Sequence, residues 1–373
     1  MQIADFPDLP AVLRNAVVRA LSAQHEGRLF EADRLYQQMA RRKPLHPLLA
    51  HTIAGFLLLK GDLLGAWPLF ERRLDLPYYT HRPFEKLSQP VWTGDPIPNE
   101  RLLIFADLGL GDTILAARFL PWVRQRVGAF SMQVKRGTVP FWRRLFPDAE
   151  ISALGDPLPD CDWRINLFSL PAVYGAQPQN MPLPPYVDVD EDERARWRDR
   201  LGGGFKVGLS WQGNPDHVRD FERSIPLDKF IPILRDKDLH RNDVRFFSLQ
   251  VDHGRDQLHE SLTDIAVEDL AAEIMENNDP LNSSAALVAE LDLVIAVDSA
   301  LANLAGAMDG PFWLPTYKIP DWRWTTFPDL DADNPRPSSW YSSARIYRCG
   351  ERGKWEPVIE EMRSDLVALT TAR

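Results

Sequence analysis

The run RLLIFADLGLGDTILAARFL, residues 101–120, passes from a short apolar segment through two glycines and an acid into a helical stripe. A second run of the same build, DLVIAVDSALANLAGAM, occupies residues 292–308. A buried strand that feeds straight into a helix is covered by packing the helix back onto a sheet, so this pattern predicts parallel α/β architecture. In the first unit, RLLIFA, FSMQVKRG and DWRINLFSL read as strands. Ile114, Leu115, Phe119, Trp122, Val123 and Val127 read as one helical stripe, with a kink expected at Pro121. In the second, FKVGLSW, VRFFSLQ, DLVIAV and PFWLP read as strands, with helices expected near 226–236, near 283–291 and from about 299.

Residues 10–78 have a different grammar. Ala20, Gly27, Ala32 and Tyr36 return as Ala54, Gly61, Ala66 and Phe70, each pair 34 positions apart. That period, with small residues where paired helices cross, resembles the tetratricopeptide repeat. Two units are fewer than a free-standing solenoid needs, so the block is expected to lean on its neighbour. The Pro- and Gly-rich LSQPVWTGDPIPNE, residues 87–100, reads as the connector, and AQPQNMPLPPYVDVDEDE as an interdomain hinge. The expected division is a helical block over 1–86 and α/β domains over 87–185 and 186–373.

Charge narrows the function. Against 43 Lys and Arg stand 53 Asp and Glu, a net charge of -10 over 373 residues, which argues against nucleic acid as the main partner. No apolar stretch reaches membrane-spanning length, and Asp5 and Asp8 stand where a signal peptide would be basic, so a cytoplasmic protein is expected. Cys161 and Cys349 are far apart and support neither a disulfide framework nor a thiolate metal site.

Candidate chemistry collects where strands end. In DLGLGDTIL, Gly109 and Gly111 allow close backbone approach or positive φ, and Asp112 falls in the first helical turn with Thr113 beside it. Asp112 is either a cap for its own helix or a carboxylate placed to take a proton from a hydroxyl. No Lys follows the second glycine, and Ile114 stands where GxGxxG needs its last glycine, which removes a Walker loop and weakens an oxidoreductase reading. In GLSWQGNPDHVRDFERSIPL, Ser210 and Trp211 end a strand. Arg223 and Ser224 precede Pro226, which is suited to a first helical turn, so Arg223 is expected beside a helix N-terminus. Its plain alternative is a surface pair with Asp220 or Glu222. Asp298 and Ser299 enter a small-residue helix whose free amides would suit a phosphate or a sugar hydroxyl. In PDWRW, Asp321 and Arg323 flank Trp322 as an edge for a base or sugar, or as packing.

The runs GLGDTI, GLSWQGNP, RSIPL, DLVIAVDSALANLAGA and PDWRW, in that order, resemble a bacterial layout: tetratricopeptide repeats followed by a glycosyltransferase domain related to the lipopolysaccharide heptosyltransferases. The resemblance implies a GT-B pair of Rossmann-type domains, no metal, no cofactor beyond a nucleotide-sugar donor held by the C-terminal domain, and an acceptor on the N-terminal one. Relatives of this layout include enzymes that glycosylate flagellin, so a protein or glycan acceptor docked through the repeats is implied. Asp112 matches the family's base, with Gly109, Gly111 and Thr113 in the acceptor loop. Ser210, Trp211, Arg223 and Ser224 match the donor-phosphate region, and Asp298 and Ser299 the sugar and phosphate contacts. The family's Asp-Thr-x-x-x-His reads Asp-Ser-x-x-x-Asn here, so Asn303 replaces a histidine and cannot titrate near neutral pH. That departure keeps a second expectation open, a catalytically degenerate scaffold or nucleotide-sugar-binding protein.

Overall fold

A computed structural model describes residues 10–42, 44–80, 87–217, 219–258, 267–324, 338–351 and 353–372. Asp5 and Asp8 lie outside the described residues. The first two segments form two helix pairs, α1 (Ala11–His25) with α2 (Leu29–Ala40) and α3 (Pro47–Leu59) with α4 (Leu63–Phe70). The repeated positions are structurally equivalent. Gly27 and Gly61 turn each pair at φ 79 and 82, a region that only glycine enters freely. Ala20, Ala54, Ala32 and Ala66 are fully buried, with Tyr36 and Phe70 buried behind them.

Two parallel sheets follow. In the first, β1 (Ile97–Phe105), β2 (Val127–Val134), β3 (Glu150–Ala153) and β4 (Trp163–Asn166) lie in the order β3-β2-β1-β4. In the second, β5 (Phe205–Ser210), β6 (Val244–Ser248), β7 (Val267–Asp269), β8 (Leu293–Ala296), β9 (Phe312–Tyr317) and β10 (Ala344–Cys349) lie in the order β10-β9-β8-β5-β6-β7. Every strand pair is parallel. The second order is that of a doubly wound Rossmann sheet, and such sheets bind ligands where the winding reverses, here between β5 and β8. Among the described residues no helix is long and apolar enough to cross a membrane.

Several expectations need correction. The stripe after Asp112 is broken: the helix Leu110–Ala116 gives way to a 3-10 turn at Ala117–Phe119 and resumes at Leu120–Arg124, with Pro121 in its first turn. Val127 belongs to β2 rather than to that stripe. The 176–193 segment is packed, not a free hinge. The Tyr186 amide bonds the Ala307 carbonyl at 3.0 Å, and Arg118 bonds the Tyr186 hydroxyl at 3.2 Å. The connector is also seated: Trp92 is 1% exposed, and its amide bonds the carbonyl of Arg164 in β4.

The helical block leans on the first sheet, as two short units require. The Trp67 indole donates to the Ala176 carbonyl at 2.9 Å, and Phe70 packs on Phe168. Arg73 reaches Asp107 at 3.0 Å with both side chains 1% exposed, so a buried ion pair ties the block to the loop after β1. One apolar core runs through the block, the first sheet and the inner face of the second. A separate core around Trp211, Phe230 and Tyr347 fills the outer face of the second sheet.

Candidate functional site

The N-terminal wall of the cleft begins at the carboxyl end of β1. Gly109 caps the helix Leu110–Ala116, and Asp112 is its third residue, with Oδ2 accepting from the Gly109 amide at 3.2 Å. Gly109 has φ −67, so positive φ is not the reason for glycine there. Close approach is the reason at Gly111, where a Cβ would lie 2.9 Å from Asn303 Nδ2. Thr113 turns its hydroxyl back to the Gly109 carbonyl at 3.0 Å and is buried.

The opposite wall is built by β5, β8 and the segments after them. The Ser210 hydroxyl donates to Gln250 Oε1 at 3.2 Å, and Trp211 is 1% exposed with its indole on the Gly254 carbonyl. Ser224 bridges the Gly213 amide and Asp220 Oδ1. These three therefore shape the loop from within. Arg223 stands ahead of the helical turns Leu227–Phe230 and Ile231–Leu234, as expected, but its guanidinium bonds elsewhere. It ends the short helix Asp220–Arg223, and Pro226 stands just ahead of the 3-10 turn Leu227–Phe230. Its Nε donates to Asp220 Oδ1 at 3.0 Å, as the plain alternative had it. Nη1 and Nη2 reach the Asp298 and Asn214 carbonyls at 3.2 and 3.1 Å. The contact with Asp298 brings the guanidinium to the N-terminus of a different helix, Ala300–Ala307.

Ser299 caps that helix with extended backbone and no side-chain capping bond, and its Oγ is shielded from solvent without a partner. Burial first, and the nearby Asp321 second, push the Asp298 carboxyl up to about 6. Asn303 is 3% exposed; Nδ2 donates to the Ser299 carbonyl at 3.0 Å, and Oδ1 accepts from the Tyr341 hydroxyl at 3.1 Å.

Arg323 closes the site from above. Its Nη2 reaches Asp112 Oδ1 at 2.5 Å and its Nη1 reaches Asp321 Oδ1 at 2.6 Å, while the guanidinium lies 4.3 Å from the Trp322 ring centroid. Burial opposes ionisation of Asp321, but Arg323 outweighs it and holds that carboxyl below its usual range. Trp322 itself packs edge-on against Trp67 and Trp340 in the interior rather than facing the cleft.

The resulting cleft holds about 740 Å³, within the range of small-molecule sites. Gly109, Gly111 and Asp112 line it from one sheet; Ser210, Arg223, Asp298, Ser299, Asn303, Asp321 and Arg323 line it from the other. Trp211, Ser224, Thr113 and Trp322 stand behind these walls. Lys135, His217, Gln250, His253, Leu281 and Ser284 also line the cleft and were not singled out in the sequence. Lys135 follows β2 and Gln250 follows β6, so their places at carboxyl ends of strands were the available signal. Burial and Arg223 hold the His217 imidazole below its usual range, and its Nδ1 accepts from the Arg219 amide.

No family model matches the chain. Protein FlbA of Caulobacter vibrioides is 26% identical over 370 residues, covering 88% of this chain and 57% of that protein, so the chain spans a little over half the relative's length. Among solved structures, the glycosyl transferase family 9 protein of Veillonella parvula is similar with a TM-score of 0.49 at 10% identity, over 74% of this chain and 100% of that one. E. coli ADP-heptose lps heptosyltransferase II is similar with a TM-score of 0.48 at 12% identity, over 73% of this chain and 99% of that one. At such distances the likeness says nothing of substrate or activity.

Proposed function

We propose that the chain is a GT-B glycosyltransferase that moves a sugar from a nucleotide-activated donor to a hydroxyl of a protein or glycan acceptor. The observation that carries this reading is one cleft lined by Asp112, from the first sheet, and by Ser299 and Arg223, from the second, with the Ser299 hydroxyl left without a partner. The donor diphosphate would lie at the start of the helix Ala300–Ala307, where exposed amides and the helix dipole favour an anion. Arg223 keeps two of its five N–H groups after its three internal bonds, enough for a charge-assisted contact.

Asp112 would take the acceptor proton as the acceptor oxygen forms its bond to the anomeric carbon. The bond from that carbon to the phosphate oxygen breaks, and the nucleotide leaves with its charge met by Arg223, Ser299 and the helix amides. Both Asp112 oxygens are engaged, one by Gly109 and one by Arg323, yet each carboxylate oxygen has a second lone pair. The helical block would present the acceptor. A groove of about 460 Å³ between α1 residues such as Val18 and Leu21 and the second lobe's Glu222 and Tyr317 offers a surface for it.

The ion pair between Asp112 and Arg323 also favours a second reading, a protein that binds a nucleotide sugar without turning it over. Thermal shift with a panel of nucleoside mono- and diphosphates and their sugars, followed by mass measurement of acceptor proteins, separates the two. A ligand at about 100 times its dissociation constant adds roughly 2.7 kcal/mol to stability. Asp112→Asn should cut transfer by at least about 100-fold and leave the shift intact. Equal turnover by the variant would exclude Asp112 as base, and no shift with any ligand would exclude the donor site.

A further inference from the structure

The residue that departs from the family pattern, Asn303, is the inner end of a chain of buried polar groups that crosses between the lobes. The chain starts at Arg118, in the 3-10 turn that follows the Asp112 helix, 1% exposed and, among the described residues, with no carboxylate as a partner. Its Nη2 donates to the Tyr186 hydroxyl at 3.2 Å; the Tyr186 and Tyr341 hydroxyls are 3.2 Å apart; the Tyr341 hydroxyl donates to Asn303 Oδ1; and Asn303 Nδ2 donates to the Ser299 carbonyl. The Ser299 carbonyl only accepts, so it fixes the Asn303 amide with Nδ2 towards it and Oδ1 towards Tyr341. Tyr341 therefore gives its one proton to Asn303 and accepts from Tyr186, which in turn accepts from the Arg118 guanidinium. Every proton then points from Arg118 towards Ser299. Bonds aligned in this way polarise and strengthen one another in a low-dielectric interior.

The same elements touch elsewhere. Gly111 brings the first helical turn of the Asp112 helix within 3.5 Å of Ala300 Cα, measured from the position a Cβ would take. The Arg118 guanidinium also lies over the Tyr341 ring at 4.9 Å and bonds the Trp340 carbonyl at 3.1 Å. An opening of the lobes would break all of these together.

We propose that Arg118, Tyr186, Tyr341 and Asn303 form a single interlobe brace that holds the start of the helix Ala300–Ala307, and with it the Ser299 hydroxyl, at a set distance from Asp112. Asn303 and Tyr341 are then positioning residues, and the asparagine is a working part of the site rather than a mark of decay. Phosphate binding at Ser299 rests on the donor reading above; the brace itself does not.

Tyr341→Phe removes one oxygen and keeps the packing of a fully buried ring. Two measurements on the full chain test the brace: hydrogen exchange of the bonded helix amides at 303–307 against those of β5, and calorimetric affinity for inorganic pyrophosphate. The brace predicts faster exchange at 303–307 alone. It also predicts about a 10-fold loss of pyrophosphate affinity, the equivalent of one lost hydrogen bond, and a smaller loss in Tyr186→Phe. Ser299→Ala combined with Tyr341→Phe should lose less than the product of the single losses, because both act on one group. Unchanged exchange in Tyr341→Phe overturns the brace whatever the ligand result. Faster exchange with wild-type pyrophosphate affinity overturns the positioning role and leaves the donor reading standing. Wild-type protein that binds neither pyrophosphate nor any nucleoside diphosphate overturns the donor reading and the positioning role with it, and exchange alone then decides the brace.

Discussion

The first lobe is sealed on two sides by a buried arginine, and the two seals are chemically unlike. Towards the helical block, Arg73 meets formal charge: Asp107 at 3.0 Å and Glu71 at 2.5 Å, with the Ser169 hydroxyl accepting from Arg73 and donating to Glu71. Towards the second lobe, the partners of Arg118 among the described residues are carbonyls, a hydroxyl and the faces of Tyr186, Trp340 and Tyr341. An ion pair in a dry interior fixes two points firmly, but loss of Arg73 would leave Asp107 as a buried charge without it. Neutral dipoles and ring faces spread one cation over several groups and strand nothing ionic. The block is thus pinned to the loop that leads to Asp112, whereas the lobes are joined through groups that also reach the ligand wall.

The largest consequence falls on the first seal. Arg73→Leu leaves Asp107 charged and buried, so urea unfolding should show a loss of roughly 3–5 kcal/mol, and replacing both residues by leucine should recover most of it. A single variant as stable as the wild type would mean that the pair is not desolvated as described. Arg118→Met strands only carbonyls and a hydroxyl. Its loss should be smaller, roughly 1–3 kcal/mol by the same measurement, and equality with Arg73→Leu would erase the contrast between the seals.

The smallest effects are in pH dependence and have opposite signs. His51 packs against Phe70 in the first seam, and burial, then Arg73 and Arg323, lower its imidazole from 6.5 to about 4. The fold favours its neutral form, so its contribution is complete above pH 6.5 and is lost as the pH falls through about 4. Asp298, raised from 3.8 to about 6, behaves the other way: its contribution is complete below pH 3.8 and is lost as the pH rises through about 6. Urea midpoints between pH 4 and 7 should therefore fall on acidification more steeply in Asp298→Asn than in the wild type. In His51→Gln they should fall instead on raising the pH, each tilt being on the order of 1 kcal/mol after solvent screening. Parallel profiles for the two variants would show that the groups do not titrate across folding as their surroundings imply.

Much of the architecture could be read because its signals are local. An alanine that recurs 34 residues on, a glycine at each turn and apolar runs ending in small residues need only their neighbours to be interpreted. The missed elements lacked that contrast. β3 is four residues long, and the helix Glu191–Leu201 is so charged that only Trp197 and Leu201 are buried along it. Its acidic start therefore read as part of a hinge. Asp112, Ser299 and Arg223 could be nominated because strand ends and helix starts carry recognisable chemistry. Lys135 was passed over although it ends the run FSMQVKRG, and His217 could not be nominated, since a lone imidazole in a polar loop has no spacing to betray it.

Residue order alone was enough to commit the chain to helix pairs followed by two parallel sheets, and to bring Asp112 and Ser299 to the mouths of their strands, because periodicity and turn chemistry act over a few residues. It was not enough to say which polar groups would satisfy one another. Arg323 lies 211 residues from Asp112 and Tyr341 lies 38 from Asn303, and each pairing exists only because the fold brings both partners together, the second pair fully buried and the first in large part. A buried donor takes whatever acceptor the surrounding fold delivers to it. The charge and hydrogen-bonding state of this cleft therefore belong to the assembled molecule.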